Sequence, residues 1–217
     1  MEKIHDEIRR EALSENEKPK GTNPLIYIVG GFMVLIMVMM IVPHYSIKPD
    51  TEPVNIPSLE EVRPNTTQNY SRPQLKDIRL YVTSDNPTIK RMATKIATTS
   101  CKGEKICQSK AIYYFVRDNF EYVGEQDEYI QTPMEMLYTG GGDCDDFAVL
   151  LASMQNAIGI PVRFVRVPNH IYISIYIEEA PSKYKKDRWI PLDAACRNCE
   201  YAQIPLKYKE AEKEYLS

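Results

Sequence analysis

The chain has no charge bias. Its 27 Lys and Arg stand against 30 Asp and Glu, a formal net charge of −3 over 217 residues. Nothing here offers the basic footprint that a polyanion demands, so no nucleic-acid partner is expected. An acidic loop with the D-x-D-x-D spacing of a calcium-binding hand is also missing. Calcium is therefore not implied, and no cofactor is expected. Histidine is scarce as well: of three in the chain, only His170 lies beyond residue 74. Any acid–base chemistry in that portion that needs an imidazole must use this one.

The most telling absence is local. No charged side chain occurs from Asn23 to Ile47, whereas the sequence on both sides is dense in Lys, Arg, Asp and Glu. Residues 24–42, PLIYIVGGFMVLIMVMMIV, are long enough to cross a hydrocarbon core of about 30 Å as a helix rising about 1.5 Å per residue. Pro24 suits a first helical turn, and Pro43, His44 and Tyr45 mark the exit into the interface. A cleaved signal peptide is the competing reading. It is disfavoured because the preceding leader is long and mixed in charge, and no A-x-A-like site follows. Arg9, Arg10, Lys18 and Lys20 precede the run, against Lys48 and Arg63 after it, which predicts an inside N-terminus and an extracytoplasmic C-terminal bulk at the cell membrane.

The expected organisation is a short cytoplasmic segment (1–23), a single transmembrane helix (24–42), a stalk (43–73) and a folded domain (74–217). The stalk rests on six prolines between Pro43 and Pro73, interleaved with Ser, Thr, Asn and Gln and lacking hydrophobic periodicity. Within the domain, LKDIRLYV reads as an opening extended segment or strand, and Asn86-Pro87 as a cap and first-turn proline for a helix over PTIKRMATKIATT. A second helix from about Lys105 to Phe120 sets Ile106, Ile112, Tyr113, Val116 and Phe120 largely on one face.

Three glycines, Gly140 to Gly142, then form a flexible approach to a helix capped by Asp143, with Phe147, Leu150, Leu151 and Met154 facing inward and Gly159 as its stop. After Pro161 the pattern changes to strands, VRFVRV, HIYISIYI and RWIPLD. Helices followed by adjacent strands predict an α+β fold with N-terminal helices packed on an antiparallel sheet. The closing KYKEAEKEYLS reads as a solvated helix.

The chemistry converges on three of these places. Cys144 begins the capped helix, where unpaired N–H groups favour an anion. That effect, at most about 2 kcal/mol, leaves a thiol only partly ionised at neutral pH, and Asp145 and Asp146, read as first-turn acids, oppose it. A second cation is required, and His170, at the start of a strand, is the one imidazole available. Asp193 ends the next strand, so it can accept from one ring nitrogen while the other serves the thiol. The Cys144 N–H is the first candidate donor of an oxyanion hole; no second donor is legible. Trp189, Tyr172 and Gly142 are expected as pocket wall or substrate-binding residues.

Together AIYYFVRDNFEYV, GGGDCDDFAVLLASMQNAIGIPVRFVRV, NHIYISIYI and RWIPLDAA resemble the transglutaminase-like superfamily over about Ala111 to Ala195. The resemblance implies a papain-like core in which a helix-borne Cys144 faces His170 and Asp193 on adjacent strands. Ile171 and Tyr172 depart from the small residue and aromatic that relatives often carry after the histidine.

Cys101, Cys107, Cys196 and Cys199 remain, an even number in a domain expected outside the membrane. Local closure, Cys101 with Cys107 and Cys196 with Cys199, is the preferred pairing; a four-thiolate zinc site is the rival. The expected function is a membrane-anchored thiol enzyme that cleaves or transfers acyl groups at peptide or isopeptide amides of a protein or peptide substrate through a Cys144 thioester, with hydrolysis favoured. A cross-linking transamidase and a non-catalytic surface module that keeps the fold are the alternatives.

Overall fold

The computed structural model of the chain describes residues 9–10, 21, 23–44, 50–63, 75–124 and 129–217. Most of the segment expected in the cytoplasm, and residues 45–49 and 64–74 of the expected stalk, lie outside the described residues. The chain divides into two units, Met1–Ile47 and Lys48–Ser217.

The first unit contains one long helix, α1 (Pro24–His44). Over its window Pro24–Ile41 it is apolar enough to cross a membrane, and none of that window is buried. Its apolar residues surround the helix on all sides. At 21 residues it is about 31 Å long.

The second unit holds α2 (Leu59–Val62), α3 (Pro87–Ser100), α4 (Lys105–Asn119), β1 (Glu121–Tyr122), α5 (Pro133–Thr139), β2 (Gly141–Gly142), α6 (Cys144–Ala157), β3 (Val162–Val167), β4 (His170–Ile175), β5 (Ile190–Leu192), α7 (Leu206–Lys209) and β6 (Glu214–Leu216). The main sheet is antiparallel in the order β5-β4-β3-β6, with Val167 opposite His170 and Ile173 opposite Leu192. Its alternation decides what it faces. Ile171, Ile173 and Ile175 join the main core with Phe147, Leu150 and Leu151 of α6, whereas Tyr172, Val165 and Val167 form a second cluster with Ile204 and Tyr208. Helix α6 is central, packing against β4, α3, α4 and α5.

Three expectations need correction. Residues 50–63 do not stand off as a stalk but lie on the second unit. Lys110, whose side chain is 1% exposed, extends its Nζ to Asp50 Oδ1 (2.7 Å) and Glu52 Oε1 (2.5 Å). Further along, Val54 N donates to Ser100 O, Leu59 N to Asn119 Oδ1, and Val62 is buried. A buried ammonium must be paired, and helical periodicity drawn for α4 alone does not reveal where its carboxylates come from. The opening LKDIRLYV is a 3-10 turn, Ile78–Tyr81, capped by Asp77 accepting from Arg79 N, rather than a strand. The C-terminal segment holds only the short α7 before turning into β6, whose Tyr215 and Leu216 pair with Val165 and Phe164 while Glu214 meets Arg166 at 2.9 Å. Its many Lys and Glu residues mask an edge strand.

Cys101 is disulfide-bonded to Cys107 and Cys196 to Cys199, the local pairing, which leaves Cys144 as the free cysteine.

Candidate active site

The approach to Cys144 is rigid for steric reasons. Gly140 caps α5 in the left-handed conformation (φ 77°), which glycine adopts without penalty. A Cβ at Gly141 would press into the Glu121 carbonyl, and one at Gly142 into the Asp146 carboxylate. These glycines therefore serve close packing rather than flexibility. They let β2 pair with β1 in parallel, Tyr122 opposite Gly142, and let Asp146 fold back beneath the turn. Asp146 is buried and accepts from Gln131 N (2.7 Å), Gln131 Nε2 (3.0 Å) and Asp143 N (3.1 Å). The first-turn acid read from the sequence is thus also a joint tying the segment before α5 to the start of α6.

Asp143 is the N-cap, its carboxylate accepting from Asp145 N at 3.1 Å. Burial, followed by the charges of Asp145 and Asp146, pushes its carboxyl up to about 7. Cys144 is half-buried at the first helical position, and its own N–H has no acceptor among the described residues. Its S–H donates to Asp145 Oδ1 at 3.3 Å. Burial pushes the thiol up to about 12, with Asp145 adding to the rise and the Ile171 N–H opposing it. Desolvation and a neighbouring carboxylate outweigh the helix end, and the sulfur rests as S–H. The polar atoms of Asp143, Cys144 and Asp145 fall within 4.8 Å of one another. They are engaged with each other and with the first turn, as a helix cap requires.

His170 opens β4, the strand on which α6 packs. The imidazole Nε2 lies 2.7 Å from Asp193 Oδ2, with side-chain exposures of 10% and 1%. If Nε2–H donates to the carboxylate, Nδ1 is left with its lone pair, and it has no partner among the described residues. Asp193 follows β5, with Tyr113 Oη donating to its carbonyl at 3.3 Å and to that of Cys199 at 2.9 Å. The Cys196–Cys199 disulfide closes a short loop just beyond Asp193.

The expected wall residues fall in two places. Trp189 and Tyr172 line a cavity of about 30 Å³ on the sheet face away from α6, beside Arg163, whose guanidinium lies between the rings of Trp189 (4.2 Å) and Tyr215 (4.1 Å). Gly142 lines a separate cavity of about 480 Å³ with Glu121, Tyr129, Gln131 and Glu135. Sequence reading missed Tyr208, whose ring stacks on the His170 imidazole at 4.6 Å and 9°. Its spacing from His170 along the chain carries no signal for that contact.

Helices ahead of an antiparallel sheet, with a half-buried cysteine at the start of α6 and a His–Asp pair carried by β4 and the end of β5, make up a fold of papain-like type. Residues 90–194 match the model of the transglutaminase-like superfamily. No curated protein matches. Among solved structures, it is similar to a candidate cysteine protease from Cytophaga hutchinsonii, with 22% identity over 56% of this chain and 43% of that one and a TM-score of 0.42. LapG from Legionella pneumophila, in a calcium-bound form, is 18% identical over 72% of this chain and 81% of that one, with a TM-score of 0.41. A further candidate protease, from Parabacteroides distasonis, is 14% identical over 66% of this chain and 37% of that one, with a TM-score of 0.37. The chain thus spans less than half the length of the first of these.

Proposed function

We propose that this chain is a membrane-anchored thiol hydrolase of amide bonds in a protein or peptide, with Cys144 as nucleophile, His170 as proton carrier and Asp193 as the carboxylate that orients it. One observation carries the reading: Cys144 opens α6, which packs on β4, and the first residue of β4, His170, holds its Nε2 2.7 Å from the buried Asp193 carboxylate. Because the resting sulfur is protonated, the nucleophile forms as it attacks. The S–H proton passes to His170 Nδ1, and the sulfur adds to the amide carbonyl carbon. His170 then returns that proton to the departing nitrogen as the C–N bond breaks, leaving a thioester on Cys144. Water attacks the thioester, giving one proton to His170; the C–S bond breaks, the sulfur takes the proton back and a carboxylic acid leaves. The free Cys144 N–H is suited to stabilise the oxyanion in both halves.

Hydrolysis is favoured over cross-linking because water is abundant at an external site. The two disulfides support an oxidising compartment for the second unit. The span-length apolar helix α1 supports anchoring, with the N-terminus inside by the distribution of Arg and Lys. A mass for the mature chain that includes residues 1–47 favours the anchor over a cleaved leader.

The test is incubation of the full chain with a mixed peptide library in ¹⁸O water, with and without a primary amine. New ¹⁸O-labelled carboxyl ends that vanish in Cys144→Ala support hydrolysis, and amine incorporation supports transamidation. If neither appears and Cys144 is inert to alkylating agents, the protein is a surface binding module instead.

A further inference from the structure

Outside the three residues of the proposed triad, the most specific contact in the site is the Tyr208 ring lying parallel to the His170 imidazole, 4.6 Å between centroids and tilted by 9°. It is not an incidental surface contact. Tyr208 is buried, carried by α7 and held in the small cluster with Ile204, Val165, Val167 and Tyr172 that closes the outer sheet face. The Pro205 carbonyl accepts from Tyr208 N at 3.0 Å, fixing the backbone at the turn into α7.

An imidazole bound through one nitrogen can still rotate about that bond. The Nε2–Asp193 contact sets one direction in the ring, and a flat partner sets its plane; together they leave a single orientation. The stack also has a charge preference. The face of a phenol ring is electron-rich, so it attracts an imidazolium more than a neutral imidazole, and more strongly away from water.

We propose that Tyr208 is a positioning residue for the thiol chemistry: its ring fixes the plane of His170 and favours the protonated imidazole that forms when Cys144 gives up its proton. This rests on the triad reading above and adds a fourth participant to it. The groups around the imidazole are Asp193 after β5, Cys144 of α6 with Asp145 bonded to its sulfur, Tyr172 two residues along β4 (6.4 Å), and Tyr208 itself. Lys207 sets its ammonium 4.6 Å from the Tyr208 ring centroid. Asp193 and Tyr208 favour the charged imidazole, while Lys207 competes for the same ring.

The experiment measures iodoacetamide labelling of Cys144 in the full chain from pH 5 to 9, with circular dichroism as a fold control. Tyr208→Phe keeps the ring face and should label within about twofold of the wild type. Tyr208→Leu keeps the apolar volume but removes the face, and its rate at pH 6 should fall by about 3- to 10-fold. Should Tyr208→Leu fail to fold, pentafluorophenylalanine at 208 keeps the shape while reversing the ring's charge distribution, and should slow labelling in the same way. His170→Ala is run in parallel. If it slows labelling but loss of the Tyr208 ring face does not, the role of Tyr208 is overturned and the triad stands. Equal loss in folded Tyr208→Phe and Tyr208→Leu would also overturn it, because the hydroxyl would then matter rather than the ring face. If His170→Ala labels like the wild type, the triad and the role of Tyr208 fall together.

Discussion

Substituting Asp50 by Asn tests whether the segment before α3 belongs to the folded unit. Lys110 is the group at stake: its side chain is 1% exposed, while those of its partners Asp50 and Glu52 are 24% and 63% exposed. Burial alone would raise the Asp50 carboxyl. Hydrogen bonds from Lys110, Lys183 and Tyr184 overcome this and hold it at about 2, below its ordinary 3.8. A lowering of that size corresponds to about 2 kcal/mol of stabilisation. Because the folded value lies below the unfolded one, the contribution is fully present above about pH 4 and is lost as the pH falls towards 2.

Asp50→Asn should therefore destabilise by about 2 kcal/mol at pH 7, because it leaves a buried ammonium with only the exposed Glu52 as carboxylate partner. Glu52→Gln should cost under about 1 kcal/mol, because so exposed a carboxylate is already well solvated. Lys110→Met should cost less than Asp50→Asn, since it removes the buried charge together with its desolvation. In the Lys110→Met background most of the Asp50→Asn effect should vanish. Urea unfolding of the detergent-solubilised chain, followed by the fluorescence of Trp189, the single tryptophan, reads this as a midpoint shift of about 1 M for Asp50→Asn. An Asp50→Asn midpoint within about 0.2 M of the wild type would refute the docking, and residues 50–63 would have to be treated as the stalk their prolines suggest.

Other substitutions probe the site and its frame. Gly142→Ala drives a methyl into the Asp146 carboxylate and should destabilise by about 1–3 kcal/mol in the same urea assay; wild-type stability would show that the turn is looser than described. Asp145→Asn removes a charge that helps hold the Cys144 proton, so labelling at pH 8 should quicken several-fold, and slower labelling would contradict the assigned cause. Replacing both Cys196 and Cys199 by Ser opens a short loop beyond Asp193 and should cost about 2 kcal/mol, seen as a lower urea midpoint; an unchanged midpoint would show that Tyr113 alone secures the loop.

Much of this was legible in the residues because local rules governed it. The Asp143 cap, the inward row Phe147, Leu150, Leu151 and Met154, the alternation of β3 and β4, and the short-range cysteine pairs all follow from spacing within a few residues. What escaped depends on long-range partners. Lys110 is 60 residues from Asp50, and His170 is 38 from Tyr208, so no periodicity joins either pair. Strand β6 was hidden because its pairing with β3 is made by backbone groups, to which a run of Lys and Glu is indifferent. At Cys144 the helix terminus and the opposing Asp145 are visible in sequence, but the depth of burial that adds to the Asp145 effect is not.

The central claim is that the Cys144 proton leaves by way of His170. The direct measurement is the rate of iodoacetamide labelling of Cys144 against pH in the wild type and in His170→Ala. Burial and Asp145 hold the proton on the sulfur, so the account predicts that the wild type labels readily at neutral pH only because His170 takes that proton. In His170→Ala the reaction should be at least about tenfold slower at pH 7 and should recover only in strongly alkaline solution. Superimposable profiles for the two proteins would contradict it.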